Sequence, residues 1–237
     1  MRKLKNWDKK NWLSSNTYIL SFNHFLKKQI NFNKEIKILD IGCGRGRIIS
    51  SLSKKYKMNI LPLGIDVVKH KDIANRISFI KINALQYLEK TKKKFDVILF
   101  KQSIHFFNFF EIKKILKLSK NNLTPKGKIL IIALHPKVNH WPLFKTFKSR
   151  LIKSLKKDKK ILNIIKSSFK KHKINYFDFK VKMTRDLYIK MIKNRFNSCL
   201  LSLSSKEIKI GVEEIKKKYL KKLKFSDKLI CISYKNK

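Results

Sequence analysis

Short apolar runs alternate with amphipathic segments through the first 135 residues of the chain. The runs are apolar at nearly every position, which is typical of strands buried on both faces. They predict strands at 37–42, 60–68, 77–85, 95–102 and 127–135. The segments between them repeat apolar residues with a helical period and predict helices at 14–30, 47–56 and 110–123. Because buried strands that alternate with helices form parallel sheets, we expect an α/β fold with a doubly wound sheet.

The pattern changes after Pro142. Residues 145–182 hold fourteen Lys or Arg on an amphipathic background, and the alternation at 176–183 predicts a strand. Two further helices are predicted at 184–196 and 203–220, the second with a capping box from Ser204 to Glu207, and a last strand at 227–235. No internal repeat and no Gly, Ser or Pro linker interrupts the chain, so a single domain is the simplest organisation.

The charge of the chain is its most unusual property. It has 59 basic and 15 acidic residues in 237, a net charge of +44. Such a field favours polyanions, and non-specific binding to them at low salt is expected. However, 52 of the basic residues are Lys and only 7 are Arg, and they lie along the whole chain. Dedicated nucleic-acid surfaces favour Arg, so biased genome composition explains much of the excess.

Other sequence features limit the class of protein. The cysteines, Cys43, Cys199 and Cys231, are odd in number and far apart, so we expect neither disulfides nor a metal site. The basic N-terminus lacks a following apolar segment, and no run is long enough to cross a membrane, which predicts a cytoplasmic protein. Trp7 and Trp12 are predicted to anchor the first helix, with closure over a ligand as the alternative.

The stretch "ILDIGCGRG" concentrates three of the six glycines within five positions. It contains no GxxxxGK[ST] string for a phosphate loop. It also lacks the GxGxxG motif of dinucleotide-binding proteins, because Arg47 stands where the third glycine of that motif would be. The pattern is instead D-x-G-x-G-x-G, from Asp40 through Gly42 and Gly44 to Gly46. An acid at the end of this strand suits the cationic methionine end of S-adenosylmethionine.

Polar side chains also end the next two predicted strands. Asp66 closes "LGID", where a carboxylate can accept hydrogen bonds from both hydroxyls of a ribose. Asn83 and Ala84 end "ISFIKINAL", and an Asn amide can both accept from and donate to an adenine edge. A glycine cluster alone can be a packing turn, but the two acids and Asn83 in register favour a cofactor site.

With these motifs the chain resembles class I S-adenosylmethionine-dependent methyltransferases over about residues 36–135. "ILDIGCGRG" is similar to the first motif of that family, "GID" to the second, "INAL" to the third, "FDVILFKQSIHFF" to the fourth and "LTPKGKILII" to the fifth. Asn83 stands where the third motif usually has an acid. The tail "RDLYIKMIKNRFNSCLLSLSSKEI" loosely resembles the cap of small-molecule members related to trans-aconitate methyltransferases.

The resemblance implies a Rossmann-like, seven-stranded sheet with an antiparallel last strand and a helical cap insertion. It divides residues 1–237 into an N-terminal helical segment (1–35), a cofactor-binding half (36–135), a cap that forms the acceptor region (136–225) and the last strand (226–237). It implies S-adenosylmethionine as the cofactor. The expected cofactor-binding residues are Asp40, Gly42, Cys43, Gly44, Asp66, Val67, Asn83, Ala84, Lys101 and Gln102.

The acceptor is predicted from fewer residues. His105 follows the fourth strand, where the family borders the methyl group, and is a candidate general base or a packing residue. Arg195 in the cap is a candidate ligand for a carboxylate, so we expect a small carboxylate-bearing acceptor methylated on oxygen or nitrogen. An RNA or DNA methyltransferase and a non-catalytic cofactor-binding protein are the alternatives. The sequence does not predict an oligomeric state.

Overall fold

The computed structural model describes residues 11–137 and 140–236. These residues form seven strands, seven α-helices and three short 3-10 turns. The strands are β1 (Ile38–Ile41), β2 (Leu63–Asp66), β3 (Ser78–Lys81), β4 (Phe95–Lys101), β5 (Leu123–Leu134), β6 (His172–Thr184) and β7 (Lys222–Lys235). The helices are α1 (Asn16–Lys27), α2 (Arg47–Lys55), α3 (Ala84–Lys90), α4 (Phe109–Asn121), α5 (Lys145–Ser168), α6 (Arg185–Lys193) and α7 (Ser205–Lys218).

All seven strands form one sheet in the order β3-β2-β1-β4-β5-β7-β6. The first five strands are parallel to one another, whereas β7 lies between β5 and β6 and is antiparallel to both. The order reverses between β1 and β4, because β1 pairs with β2 on one side and with β4 on the other. Ligands of such sheets bind beyond the carboxyl ends of the strands at this reversal. The predicted fold class is confirmed.

Helices cover both faces of the sheet and enclose two apolar cores. One core packs α1, α2, α6 and α7 against the sheet, and the other packs α3 and α4 against the opposite face. Helix α5 contributes to both cores, with Phe147 and Leu151 in the first and Ile161 and Ile165 in the second. It therefore passes around the sheet and connects the two layers.

The structure corrects the sequence prediction around residue 83. The predicted strand 77–85 ends at Lys81, and a helix that was not predicted, α3, begins at Ala84. The cause is local, since the side chain of Asn83 accepts a hydrogen bond from the backbone of Leu85 and caps the helix. Strand β6 is also longer than the predicted 176–183, because it pairs with β7 along its full length.

The N-terminal segment is anchored by Trp12. Its ring is 5% exposed and meets Trp141, Phe196 and Phe225 edge to face, which fits the predicted hydrophobic anchor. Trp7 lies outside the described residues. Among the residues that are described, no helix is both long and apolar enough to cross a membrane.

The contact between α7 and Phe144 predicts an effect on stability. A Cβ added at Gly211 would collide with the Phe144 ring, which is 1% exposed. We expect Gly211→Ala to lower the free energy of unfolding by about 1–3 kcal/mol, because overpacking outweighs the better helix propensity of Ala. Urea denaturation measures the change, and Ile210→Ala, at the exposed neighbouring position, is the control. Equal stability of Gly211→Ala and the parent protein would contradict the prediction.

Candidate active site

The three glycines between β1 and α2 all have left-handed backbone, with φ of 75°, 57° and 68° at Gly42, Gly44 and Gly46. Side chains are strained in this conformation. The three positions differ in their surroundings. A Cβ at Gly42 would collide with Ser103, and one at Gly46 with Ile77, whereas a Cβ at Gly44 would have no atom of residues 11–137 or 140–236 within 4 Å. Gly42 and Gly46 therefore pack against Ser103 and Ile77, whereas Gly44 faces open space at the carboxyl edge of the sheet; the contact of Gly42 with a cofactor remains a prediction.

Asp66, the last residue of β2, holds this turn in place. Its Oδ2 accepts a hydrogen bond from the backbone of Gly44 (2.9 Å), and its Oδ1 accepts one from Val68 (2.9 Å). A carboxylate has about four lone-pair sites, so each oxygen keeps the capacity to accept from a ligand hydroxyl. Asp66 thus connects the glycine turn to the second strand end.

Arg45 connects the same turn to the segment between β2 and β3. Its guanidinium is almost fully buried and its Nε donates to Asp72 Oδ1 (2.7 Å) in the connection between β2 and β3. Its backbone carbonyl accepts from Ala74. The Asp72 side chain is 45% exposed, so only the arginine of this ion pair is buried, and removing Asp72 would leave the buried Arg45 guanidinium without this partner. We did not predict a role for Arg45, and its place within the glycine motif was the available signal.

Asp40 is the most perturbed acid of the site. It lies in β1, beside Leu99 of β4, and is 4% exposed. Burial raises its pKa from 3.8 to about 7, with Lys101 lowering it and Asp66 raising it further. Its Oδ1 is buried and accepts no hydrogen bond from the described residues. A buried polar atom without a partner requires an explanation, and a bound ligand is one.

The end of β4 brings Lys101 and Gln102 to the same edge. Lys101 is half-buried, and Gln102 has a left-handed backbone, with φ of 53°, while its N–H donates to Ile132 of β5 (2.7 Å). The hydroxyl of the next residue, Ser103, donates to the carbonyl of Ile41 (2.6 Å) and ties this bend to β1. The strained bend fixes how β4 leaves the sheet.

The other predicted cofactor residues lie around this edge. Asn83 is exposed and uses Oδ1 to cap α3, which leaves its amide Nδ2 for a ligand, and Ala84 is buried in the first turn of that helix. Val67 is exposed after β2. The thiol of Cys43 occupies the space that a Cβ at Gly64 would need, and burial raises its pKa, so it stays protonated. Their contacts with a cofactor remain predictions.

His105 lies in a short turn (Ile104–Phe106) beyond β4, with its ring against Phe106 at 4.2 Å between centroids. Burial and the charge of Lys157 lower its pKa to about 4. Its imidazole is therefore neutral at pH 7 and a weaker base than a free histidine. The catalytic role of His105 remains a prediction, which this low pKa does not favour.

Arg195 lies after α6 with a left-handed backbone, and its guanidinium donates to the carbonyl of Leu200. It thereby supports the connection between α6 and α7. Its predicted contact with an acceptor carboxylate remains a prediction.

Beside this connection, a face of α5 forms a cavity of about 530 Å³ that also includes Phe109 of α4 and Ser202. We call it the basic cavity, because its cationic lining residues are Arg150, Lys153, Lys156, Lys157 and Lys160.

Two buried polar residues at the carboxyl edge, Tyr18 of α1 and Asp227 of β7, were not predicted as site residues. Both are fully buried. Asp227 accepts a hydrogen bond from Trp12 Nε1 (3.2 Å) and lies beyond the end of β5. Burial raises the pKa of Asp227 to about 6 and that of Tyr18 well above 10. The acid at the start of the apolar run 227–235 was the signal available in the sequence.

The residues at this edge fit S-adenosylmethionine. The open space at Gly44 lets a ligand lie close to the backbone. The unpaired Oδ1 of Asp40 can bind a cationic group. Asp66 can accept further hydrogen bonds from hydroxyl groups. The sulfonium of this cofactor supplies an activated methyl group when it is bound. The chain's own contribution is to align an acceptor with that methyl group and to exclude water.

Comparison with known proteins identifies the class. A family model described as a methyltransferase domain matches residues 32–227, which is most of the chain. The chain therefore belongs to the methyltransferase-domain family, as the motifs predicted. No curated protein sequence matches it.

Solved structures show the same fold at low sequence identity. A protein described as a methyltransferase from an antibiotic biosynthesis pathway of Anabaena variabilis is 13% identical, with a TM-score of 0.64 over 90% of this chain and 96% of that one. A methyltransferase from Thiobacillus denitrificans, solved with S-adenosylhomocysteine, is 12% identical, with a TM-score of 0.57 over 98% of each chain. One from Archaeoglobus fulgidus is 18% identical, with a TM-score of 0.54 over 92% and 94%.

Gly44 and Gly46 provide a matched pair of substitutions. Both have left-handed backbone, so Ala adds similar strain at each. We expect Gly44→Ala to weaken binding of S-adenosylhomocysteine by roughly tenfold or more, about 1.4 kcal/mol, because the new Cβ occupies the open approach. Gly46→Ala should mainly lower the melting temperature, because its Cβ meets Ile77. Calorimetry and thermal unfolding measure the two effects. Unchanged affinity in Gly44→Ala would contradict the ligand role.

Asp40 predicts a pH-dependent trade-off between stability and binding. The folded protein holds a proton on Asp40 more tightly than the unfolded chain does, so stability is lost as pH rises from about 4 to about 7. Asp40→Asn removes this loss, and we expect it to melt higher than the parent protein at pH 8 and similarly at pH 4, while binding the cofactor more weakly. Thermal unfolding at both pH values is the measurement. An Asn variant with the same melting difference at pH 4 and pH 8 would show that ionising Asp40 costs nothing.

Proposed function

We propose that this chain transfers a methyl group from S-adenosylmethionine to a small acceptor that carries a carboxylate, on an oxygen or a nitrogen of that acceptor. The chain is an S-adenosylmethionine-dependent methyltransferase, since it matches the methyltransferase domain over residues 32–227 and its fold is shared by such enzymes. The chemical class of the acceptor is not given by the family and is therefore the proposal.

The basic cavity is the observation that carries the acceptor class. Arg150, Lys153, Lys157 and Lys160 follow one another at spacings of three and four residues, which places them on one face of α5. Arg150 is held by a hydrogen bond to Ser202 (2.7 Å), so its guanidinium is positioned before any ligand arrives. Helix α5 contains one acid, Asp158. Its carboxyl is buried, and burial raises its pKa to about 6. The cavity therefore favours an anion.

The basic cavity also borders the turn that follows β4. Lys157 Nζ donates to the carbonyl of His105 (3.3 Å), and Phe109 lines the same cavity. An acceptor whose carboxylate lies against Arg150 and these lysines would extend past His105 toward the edge at Asp40. Arg150 is a second candidate ligand for the carboxylate beside Arg195, whose guanidinium also donates to the carbonyl of Leu200. A planar guanidinium binds a carboxylate in a bidentate manner.

The experiment combines an acceptor screen with matched variants of α5. Small molecules are tested in pairs, each carboxylate with its neutral amide, using labelled S-adenosylmethionine. For a carboxylate that is turned over, we expect Arg150→Gln and Lys157→Gln each to raise KM by roughly tenfold, since a hydrogen bond to a charged group contributes about 1.5–3 kcal/mol. The affinity for S-adenosylhomocysteine should not change. Lys159→Gln, on the exposed side of the same helix, should leave KM unchanged.

Two results would contradict the proposed acceptor. Equal turnover of carboxylates and their amides would mean that the basic cavity does not select an anion. Turnover of RNA with none of any small molecule would favour the nucleic-acid alternative. Added bulk RNA serves as a competitor, and because the cations of the cavity are exposed, its inhibition should weaken with salt.

A further inference from the structure

Lys101 ends β4 among aromatic rings at the carboxyl edge of the sheet. Its Nζ lies 5.1 Å from the ring centroid of Tyr18 and 5.2 Å from that of Phe22, both on α1. Within the described residues, Nζ forms no hydrogen bond and no ion pair. Such contacts with ring faces stabilise an ammonium but leave its N–H groups without acceptors. Lys101 therefore has donors that point to no partner in the described protein.

Two carboxylates flank this lysine without contacting it directly. The charges of Asp40 from β1 and Asp227 from β7 both favour the ammonium, whereas burial disfavours it more strongly and lowers the pKa of Lys101 to about 8. Further out, Asp66 of β2 faces Asp40 and Asp178 of β6 faces Asp227. At neutral pH the amine loses its proton more easily than an exposed lysine does.

Polar groups converge around Lys101. The hydroxyl of Tyr18 faces the carboxylate of Asp227, whose Oδ2 also accepts from Trp12 Nε1, so these two buried groups lie against each other. Oδ1 of Asp40 is buried and accepts no hydrogen bond from the described residues. An unpaired buried carboxylate oxygen near an ammonium without acceptors indicates a site that a polar ligand completes.

We propose that Lys101 takes the proton of the methyl acceptor, and that the acceptor's reacting atom is a hydroxyl oxygen or an amine nitrogen bound beside Lys101 Nζ. This inference rests on the proposed methyl transfer and narrows it. The carboxylate of the acceptor serves recognition in the basic cavity, and a different, protonated group receives the methyl. Among the described residues of this edge Lys101 is the strongest base, since its pKa of about 8 exceeds those of Asp40 (about 7), Asp227 (about 6) and His105 (about 4).

The step balances in atoms and charge. The acceptor's X–H bond breaks and its proton joins the neutral amine of Lys101. A bond from X to the methyl carbon forms, and the carbon–sulfur bond breaks with its electron pair remaining on sulfur. One positive charge thereby moves from sulfur to Lys101 Nζ. The carboxylates of Asp40 and Asp227 compensate a positive charge in either position, so the buried net charge of the site is constant.

This exchange of charge can be measured without knowing the acceptor. S-Adenosylmethionine carries the sulfonium charge and S-adenosylhomocysteine does not, so Lys101 should be neutral beside the first and protonated beside the second. Calorimetry in buffers of different ionisation enthalpy counts the protons released on binding. Near pH 7.5 we expect the parent protein to release close to one proton more with S-adenosylmethionine than with S-adenosylhomocysteine. The affinity ratio should shift toward S-adenosylmethionine by roughly a hundredfold between pH 6.5 and pH 9, because its slope against pH equals the difference in protons bound.

Three variants separate the groups that titrate. Lys101→Met should abolish both the proton difference and the pH dependence. Lys101→Arg keeps a permanent charge, so it should show no proton difference and should favour S-adenosylhomocysteine at every pH. Lys128→Met is the control, because Lys128 of β5 also has a pKa lowered by burial but donates to Gln29 away from this edge. It should behave as the parent protein does.

Several outcomes would overturn the inference. A proton difference that persists in Lys101→Met and vanishes in Asp40→Asn would assign the titration to Asp40. An equal proton count for the two ligands in the parent protein would remove the base. An acceptor methylated on its carboxylate oxygen would contradict the protic acceptor while leaving methyl transfer in place. If neither ligand binds, the proposed function fails first.

Discussion

Burying charge at the carboxyl edge of a parallel sheet is the constraint on which the rest of this structure depends. Asp40, Lys101 and Asp227 come from three strands that are far apart in sequence and meet where no water can solvate them fully. Each raised or lowered pKa there records a cost in stability. The surrounding features compensate it: Trp12 holds one oxygen of Asp227, and two rings of α1 cover the ammonium of Lys101. The cost that remains lies at Oδ1 of Asp40, which accepts no hydrogen bond from the described residues.

The site residues that directly follow a predicted strand could be predicted from the sequence. Asp40, Gly44 and Asp66 follow apolar strands directly, and the carboxyl ends of parallel strands meet at one edge, so their proximity could be predicted. The fold class followed from the alternation of buried strands and helices. The separate roles of the glycines did not follow, since only the structure places Ser103 and Ile77 against Gly42 and Gly46.

The site residues that are brought together by packing between distant segments could not be predicted from the sequence. Tyr18 and Asp227 are more than 200 residues apart, and an isolated tyrosine on an apolar helix face has no pattern that distinguishes it from a core residue. Arg195 was predicted as the acceptor ligand from its place in the cap sequence, and the position of Arg150 beside Ser202 is known only from the structure. Helix α3 was hidden because Asn83 fits either a strand end or a helix cap.

The position of β7 has a consequence for how the molecule is assembled. It is the last strand in sequence, yet it separates β5 from β6, so β6 has no neighbour in the sheet until β7 inserts between them. Contacts between segments so distant in the chain form slowly. Because β7 also carries Asp227, the charged cluster is completed in the same event. A partly folded chain thus exposes the edge of β5 and lacks the acid that faces Lys101. Folding and the maturation of the binding edge share one late step.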